Sequence, residues 1–305
     1  MKQQYYASGK LLLTSEFMIL HGAKALAIPL KPGQSLELTA KNNPGTLSWK
    51  ALYREQAWFQ AEIGLEDFKI LTTDSMGKAE NLVRMLRAIL EIDPDFSAKI
   101  RSFDVVTRLE FNPEFGFGSS STLTSLLAQW AGIDPMQLHF RISRGSGYDV
   151  ACASADSAIL YQVINDMPVT ESVDFLPPFS DMISFVYLGQ KQESNQSVAM
   201  FLKEYTPAQE DVDLFSGLTC ELLKAREADE FGQVMMRHEQ RLAEILQLPT
   251  LKESRFSDLD GYAKSLGAWG GDFAMLLSPW DKDTLNSYLL DRGYTSYFNY
   301  HEIVL

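Results

Sequence analysis

Four short stretches of the chain carry residue types that could act on a phosphorylated ligand. The first, Pro113-Glu-Phe-Gly-Phe-Gly-Ser-Ser-Ser-Thr122, lies between a strand-like run and an apolar helical run. Gly116 and Gly118, on either side of Phe117, let a backbone come close to a ligand. Ser119, Ser120 and Ser121 can cap the helix that follows while their N–H groups point outward. Such a helix start attracts phosphate, although the same residues would also make an ordinary serine-rich cap. No Lys follows the glycines, so this is not GxxxxGK[ST], and GxSxG is absent here.

The second stretch, Gly145-Ser-Gly-Tyr-Asp-Val-Ala151, sets Asp149 just after two glycines and before an apolar, strand-like run. It reads either as a positioned carboxylate or as an Asx residue in a plain turn. In the third, Ser8-Gly-Lys-Leu-Leu-Leu-Thr-Ser-Glu16, Lys10 opens a strand and Glu16 closes it. A lone Lys is ordinarily surface charge. The fourth, Gly267-Ala-Trp-Gly-Gly-Asp-Phe273, is a flexible loop or a simple connector. His21, His139, His238 and His301 sit in no supporting motif, which disfavours a serine hydrolase. Cys152 and Cys220 form no CxxC or Cys/His cluster, so reduced, core-filling thiols are expected.

The elements that must hold these residues alternate between the two periodicities. Strands are expected at 11–14, 25–29 and 35–40, with turns at His21-Gly22, Pro32-Gly33 and 42–45. A second pair of strands follows at 47–53 and 57–63. Leu82, Met85, Leu86, Ile89 and Leu90 mark one face of a helix over 78–92. Residues 100–111 alternate Phe103, Val105, Thr107, Leu109 and Phe111 with charged neighbours, the pattern of a half-buried strand. A helix over 122–130 and a strand over 158–163 come next. Pro168, Pro177 and Pro178 interrupt 165–180, which reads as the link between two domains. Further on, the pattern predicts a strand at 183–189, a helix from Ser194 to Tyr205, helices near 211–228 and 230–247, and a strand at 273–277. A helix at 283–292 and a closing strand at 294–305 complete the α+β order.

The chain has 305 residues, with 27 Lys and Arg against 40 Asp and Glu, a net charge of −13. That balance supplies no cationic stripe for a phosphate backbone, which disfavours nucleic acid as the main partner. Apolar residues make up 46%, enough for a sizeable core and against disorder. No run approaches the roughly 20 apolar residues of a membrane span, and no basic segment precedes an apolar one at the start. A cytoplasmic protein without a membrane partner is expected.

Taken in order, the four stretches resemble the motifs of the GHMP kinase family. Pro113–Thr122 is similar to the family loop PxxGLGSSxx, with Phe117 in place of Leu. Lys10 through Glu16, followed by His21-Gly22, resembles PGKxxxxGE and its trailing HG. Gly145–Ala151 meets GSGxDxA, and Gly267–Phe273 resembles the glycine loop GAGGGG. The likeness is strongest to the mevalonate and phosphomevalonate kinase branch, with Gln190–Ser197 near a family turn and Met235–Leu242 like the helix before the last glycine loop.

The resemblance implies an α+β fold of two domains, 1–165 like the second domain of ribosomal protein S5 and 166–305 ferredoxin-like, with ATP and acceptor meeting between them. It implies an ATP-dependent phosphotransferase, with mevalonate as acceptor and phosphomevalonate as the alternative. Diphosphomevalonate decarboxylase and a silent binding module are more distant readings, and a homodimer is compatible with either. On this likeness Asp149 takes the acceptor's proton, and Lys10 pairs with it and stabilises the phosphoryl group. Gly116, Phe117, Gly118, Ser119, Ser120 and Ser121 cradle ATP, and Ser146, Gly147 and Glu16 border the substrate. Mg²⁺ falls to Ser120 and Glu16. The chain departs from the family at Ser15 (usually Gly), Phe17 (often His), Trp269 and Asp272 (usually Gly), and at Leu138, eleven residues before Asp149, where a magnesium-binding Glu is expected.

Overall fold

A computed structural model describes residues 2–41, 45–101, 103–189, 201, 203, 205–267 and 272–305. Most of the expected helix from Ser194 to Tyr205, the turn at Gln190–Ser197, part of the 42–45 turn and residues 268–271 of the last glycine loop, with Trp269, lie outside them.

The chain divides into two compact units. The first comprises Met1–Gly9, Pro32–Pro113 and Phe117–Ser154, and the second Lys10–Lys31, Glu114–Gly116 and Ala155–Leu305. In chain order the first elements are β1 (Lys2–Leu12), β2 (Ala25–Ala40), β3 (Thr46–Tyr53), β4 (Gln56–Gly64), β5 (Ile70–Thr73), α1 (Met76–Ile92), α2 (Phe96–Arg101), β6 (Phe103–Leu109), α3 (Ser119–Ala131), α4 (Pro135–Ile142) and α5 (Tyr148–Ala153). In the first unit the sheet runs β5-β4-β3-β6-β2. β6 pairs antiparallel with β2 and parallel with β3. The alternation in β6 does what its period requires: Val105, Thr107 and Leu109 point inward and are buried. Against the sheet α1 lays Ala79, Leu82, Val83, Met85, Leu86 and Ile89, joined by Leu126, Leu127 and Trp130 of α3.

Residues 25–40 form one long strand where two strands and a turn are expected. Pro32-Gly33 does not reverse the chain but marks a close backbone approach. A Cβ on Gly33 would lie 2.2 Å from the Ala7 carbonyl oxygen. Gly33 N–H donates to Glu110 Oε2 at 3.0 Å, and the Tyr6 hydroxyl donates to the same oxygen at 2.6 Å.

The second unit holds β7 (Ile159–Ile164), β8 (Met167–Ser172), β9 (Ile183–Tyr187), α6 (Gln209–Lys224), α7 (Ala228–Leu246), α8 (Leu251–Arg255), β10 (Tyr262–Leu266), β11 (Phe273–Leu277), α9 (Lys282–Asp291), β12 (Tyr297–Asn299) and α10 (Tyr300–Ile303). Its four-stranded sheet runs β10-β11-β9-β12, antiparallel throughout. β7 pairs with the first residues of β2 and with β8. The segment 165–180, expected as a link, therefore contains a strand, with Pro168 at the outer position of the order where its missing N–H breaks no further ladder. The closing strand expected over 294–305 is only three residues long. Asn299 then caps α10 in a capping box with Glu302.

Candidate active site

In the first unit, Gly118 caps α3 with φ +89°, a left-handed conformation that favours glycine. It accepts from Thr122 N–H at 2.9 Å and from the Ser121 hydroxyl at 2.8 Å. The neighbouring Thr122 hydroxyl donates to Gln34 Oε1 of β2 at 2.6 Å, pinning the helix start to the sheet. Of the three serines, Ser121 is buried, Ser119 half-buried and Ser120 exposed. Two of the four hydroxyls from 119 to 122 are thus spent inside the fold. The N–H groups of the first turn have no partner within the helix itself. Phe117 is fully buried and meets Phe111 edge-to-face at 5.7 Å, so the larger side chain at this loop position serves as an anchor.

Asp149 sits in the first turn of the six-residue helix α5, and not ahead of a strand as its apolar neighbours suggest. Gly147 caps that helix at φ +85°, and Asp149 Oδ1 accepts from Val150 N–H at 3.0 Å. The loop before it is held from α4. His139 Nε2 lies 3.2 Å from the Gly145 carbonyl oxygen, and Ser143 Oγ accepts from Gly145 N–H at 3.1 Å. Ser146 in the same loop is half-buried.

In the second unit, Lys10 lies near the end of β1, not at its start, and is half-buried. Its ammonium donates to the Gly116 carbonyl at 3.0 Å. Phe115, just before Gly116, rests against Tyr187, Phe273 and Phe298 at 4.8, 5.5 and 6.0 Å. Gly116 itself admits no side chain, because a Cβ there would come within 1.9 Å of Asp272 Oδ2. The Asp standing where the family loop has glycine is therefore packed against the first glycine of the phosphate-type loop.

Glu16 is 2% exposed and closes a turn whose flanking residues, Ser15 (φ +63°) and Phe17 (φ +62°), are both left-handed. For residues with a Cβ, such conformations cost about 1–3 kcal/mol each and persist only when neighbours impose them. The glycine usual before Glu16 fits the φ observed at Ser15. Here the Ser15 hydroxyl compensates, donating to the Lys24 carbonyl at 2.7 Å beside Thr219 Oγ1 at 3.1 Å. Phe17 stacks on Phe201 at 4.7 Å.

The Glu16 carboxylate meets a buried cluster absent from the sequence reading. Lys264 of β10, fully buried, donates to Glu16 Oε1. His238 of α7 accepts from Ser15 N–H through Nε2 at 2.8 Å, which leaves its proton on Nδ1. Burial and then the Lys264 charge hold this imidazole well below its usual pKa, so its 3.3 Å contact with Glu16 Oε2 involves a neutral ring. Glu239 is satisfied by Leu251 N–H, Ser265 N–H and the Ser265 hydroxyl. Burial pushes Glu16 up to about 7, with Lys264 opposing the shift and Glu239 adding to it. Glu16 Oε2 and His238 Nδ1 have no hydrogen-bond partner among the described residues. A signal for the cluster existed: His238 and Glu239 fall on the apolar stripe of α7 with Phe231, Val234, Met235, Leu242 and Ala243.

No set of three or more His, Cys, Asp or Glu side chains able to hold a metal occurs among the described residues. No helix among them is long and apolar enough to cross a membrane.

No protein-family model matches the chain, and no curated protein matches it in sequence. Solved structures do match its fold. Streptococcus pneumoniae phosphomevalonate kinase, in complex with phosphomevalonate and AMPPNP, superposes with a TM-score of 0.73 at 17% identity, covering 97% of this chain and 99% of that one. L. major mevalonate kinase with R-mevalonate gives 0.66 at 16% identity, covering 97% and 94%. Lactococcus lactis galactokinase with galactose gives 0.65 at 12%, covering 98% and 92%. These neighbours are GHMP kinases, and the chain has their mixed α+β fold over nearly its whole length.

Proposed function

We propose that the chain is an ATP-dependent kinase of a small hydroxylated acid, with mevalonate the first acceptor to test. The observation that carries this reading is the start of α3. There a left-handed Gly118 and the first-turn N–H groups offer an anion site, while Ser120 alone of the three serines keeps its side chain exposed. Residues Gly116–Ser121 would receive the ATP phosphates through their backbone. Ser120, whose hydroxyl is not used inside the fold, fits a place in the Mg²⁺ shell. Mg²⁺ held there would supply neutralisation of the phosphate charge.

Phosphoryl transfer asks mainly for positioning and charge stabilisation. Asp149 would orient the acceptor hydroxyl and take its proton as the oxygen bonds to the γ-phosphorus and ADP departs. Lys10, already fixed at Gly116, would oppose the charge on the transferring group. Glu16, Ser146 and Gly147 would border the acceptor, with Glu16 also near the metal shell. In this reading 1–165 carries the phosphate loop and 166–305 completes the enzyme. Phosphomevalonate is the second acceptor to try, since the kinase of that substrate gives a TM-score of 0.73.

A coupled assay of ADP release against mevalonate, phosphomevalonate, homoserine and sugars tests the proposal. Asp149→Asn should lower kcat by roughly 10²–10⁴-fold while nucleotide still binds. Parental turnover by Asp149→Asn would remove it from the mechanism, and a parent inactive on every acceptor would remove the kinase reading.

A further inference from the structure

Lys264 lies far in sequence from every motif residue it serves, and nothing in the proposed reaction yet uses it. It is fully buried on β10, among Ala263, Ser265 and Leu266, and its ammonium meets Glu16 Oε1 and the Ser265 carbonyl. A buried ammonium is retained only where its charge is compensated, and here the compensating carboxylate belongs to the motif turn. The opposite side of that turn is held by His238, which accepts from Ser15 N–H. The two left-handed residues, Ser15 and Phe17, leave the turn few ways to relax without these partners. The remaining carboxylate oxygen, Glu16 Oε2, has no hydrogen bond within the described residues. Clamped through Oε1, and with Oε2 at 3.3 Å from the neutral His238 ring, the buried carboxylate is held in one set place.

We infer that Lys264 is a positioning residue for Glu16, fixing through the buried ion pair, with His238 bracing Ser15, where that carboxylate stands in the reaction proposed above. The inference rests on the kinase reading, because only there does Glu16 border the acceptor. A contact serving stability alone would behave differently. Its removal would strand a buried charge, and neutralising both partners would restore the protein completely.

A double-mutant cycle separates the two. Lys264→Met, Glu16→Gln and the double variant are compared by urea unfolding and by steady-state kinetics on the best acceptor. The double variant should recover stability relative to Lys264→Met, since no buried charge is left unpaired. Its kcat/KM for the acceptor should stay about 100-fold below the parent, the scale of an ångström-sized misplacement. It should also be no slower than Glu16→Gln alone, because Lys264 acts through Glu16. Lys264→Arg keeps the charge and is the variant of choice if Lys264→Met does not fold. It should remain folded yet lose acceptor kcat/KM, because a planar guanidinium cannot take the place of a compact ammonium. A double variant with parental kinetics, additive losses in the cycle, or a fully active Lys264→Arg would each overturn the inference while leaving the kinase reading intact. A parent that turns over no acceptor overturns both.

Discussion

The three serines of the phosphate-type loop show how one residue type divides its work. The Ser121 hydroxyl is buried and donates to the Gly118 carbonyl, whereas Ser120 points out. Ser121→Ala should therefore lower stability by about 1 kcal/mol, the usual loss for one intramolecular hydrogen bond. Ser120→Ala should leave stability alone and weaken binding of Mg·ATP more than of metal-free ATP. Urea midpoints read the first effect, and nucleotide titrations with and without Mg²⁺ read the second. If the two variants exchange phenotypes, Ser121 and not Ser120 faces the ion. The loop was legible in the sequence because Gly-Ser runs with flanking periodicity report a turn into a helix. Which hydroxyl goes where was not legible, because that depends on the left-handed φ at Gly118. The Glu16–Lys264 pair was hidden for another reason. Its partners lie 248 residues apart, and no local pattern links them.

Elements were read best where one face is buried and the other wet. α1 and β6 followed their periodicities closely, because burial in the sheet core is what those periods encode. The reading failed where a residue signals a turn but serves another purpose, as at Pro32-Gly33 within β2 and at Pro168 within β8. It also failed for α4 and α5, which are too short to show a period. Side-chain pairing between helices carries a further consequence. Asp211 in the first turn of α6 is buried and accepts from Arg241 of α7 at 2.8 and 2.7 Å and from the Tyr205 hydroxyl at 2.5 Å. Burial alone would raise its carboxyl, but the Tyr205 hydroxyl and Arg241 outweigh burial and hold it below 3.8. The folded pKa is thus depressed, so the contribution to stability is complete above pH 3.8 and is lost as pH falls through the folded value. Asp211→Asn should cost about 2 kcal/mol at neutral pH, the scale of hydrogen bonds to a charged group. The gap from the parent should close in strong acid. Urea unfolding of both proteins across that range checks it, and a gap that persists undiminished in acid would place the effect outside the carboxylate.

On the scale of the whole molecule, a net charge of −13 shapes what ligand binding should look like. A surface so acidic collects cations without any specific site, so Mg²⁺ alone should steady the protein about as much as any salt of equal ionic strength. A nucleotide anion has the opposite problem. It must enter a repulsive field and can bind only where local donors outweigh that field; the N–H groups at the start of α3 are the donors proposed above for that purpose. Specific binding to the folded chain adds RT ln(1 + [L]/Kd), about 2.7 kcal/mol when the ligand stands at 100 times Kd. For a chain of this size that is roughly 5 °C in unfolding midpoint. The rise should continue with each tenfold of Mg·ATP and should exceed both Mg²⁺ alone and sodium chloride at matched ionic strength. Duplex DNA, which shares the phosphates but needs a cationic track to hold them, should leave the midpoint where it was. Thermal unfolding across these four conditions tests the nucleotide assignment before any acceptor is known. A midpoint that follows ionic strength, whichever salt or nucleotide supplies it, would show that the loop at 116–121 caps a helix and does no more.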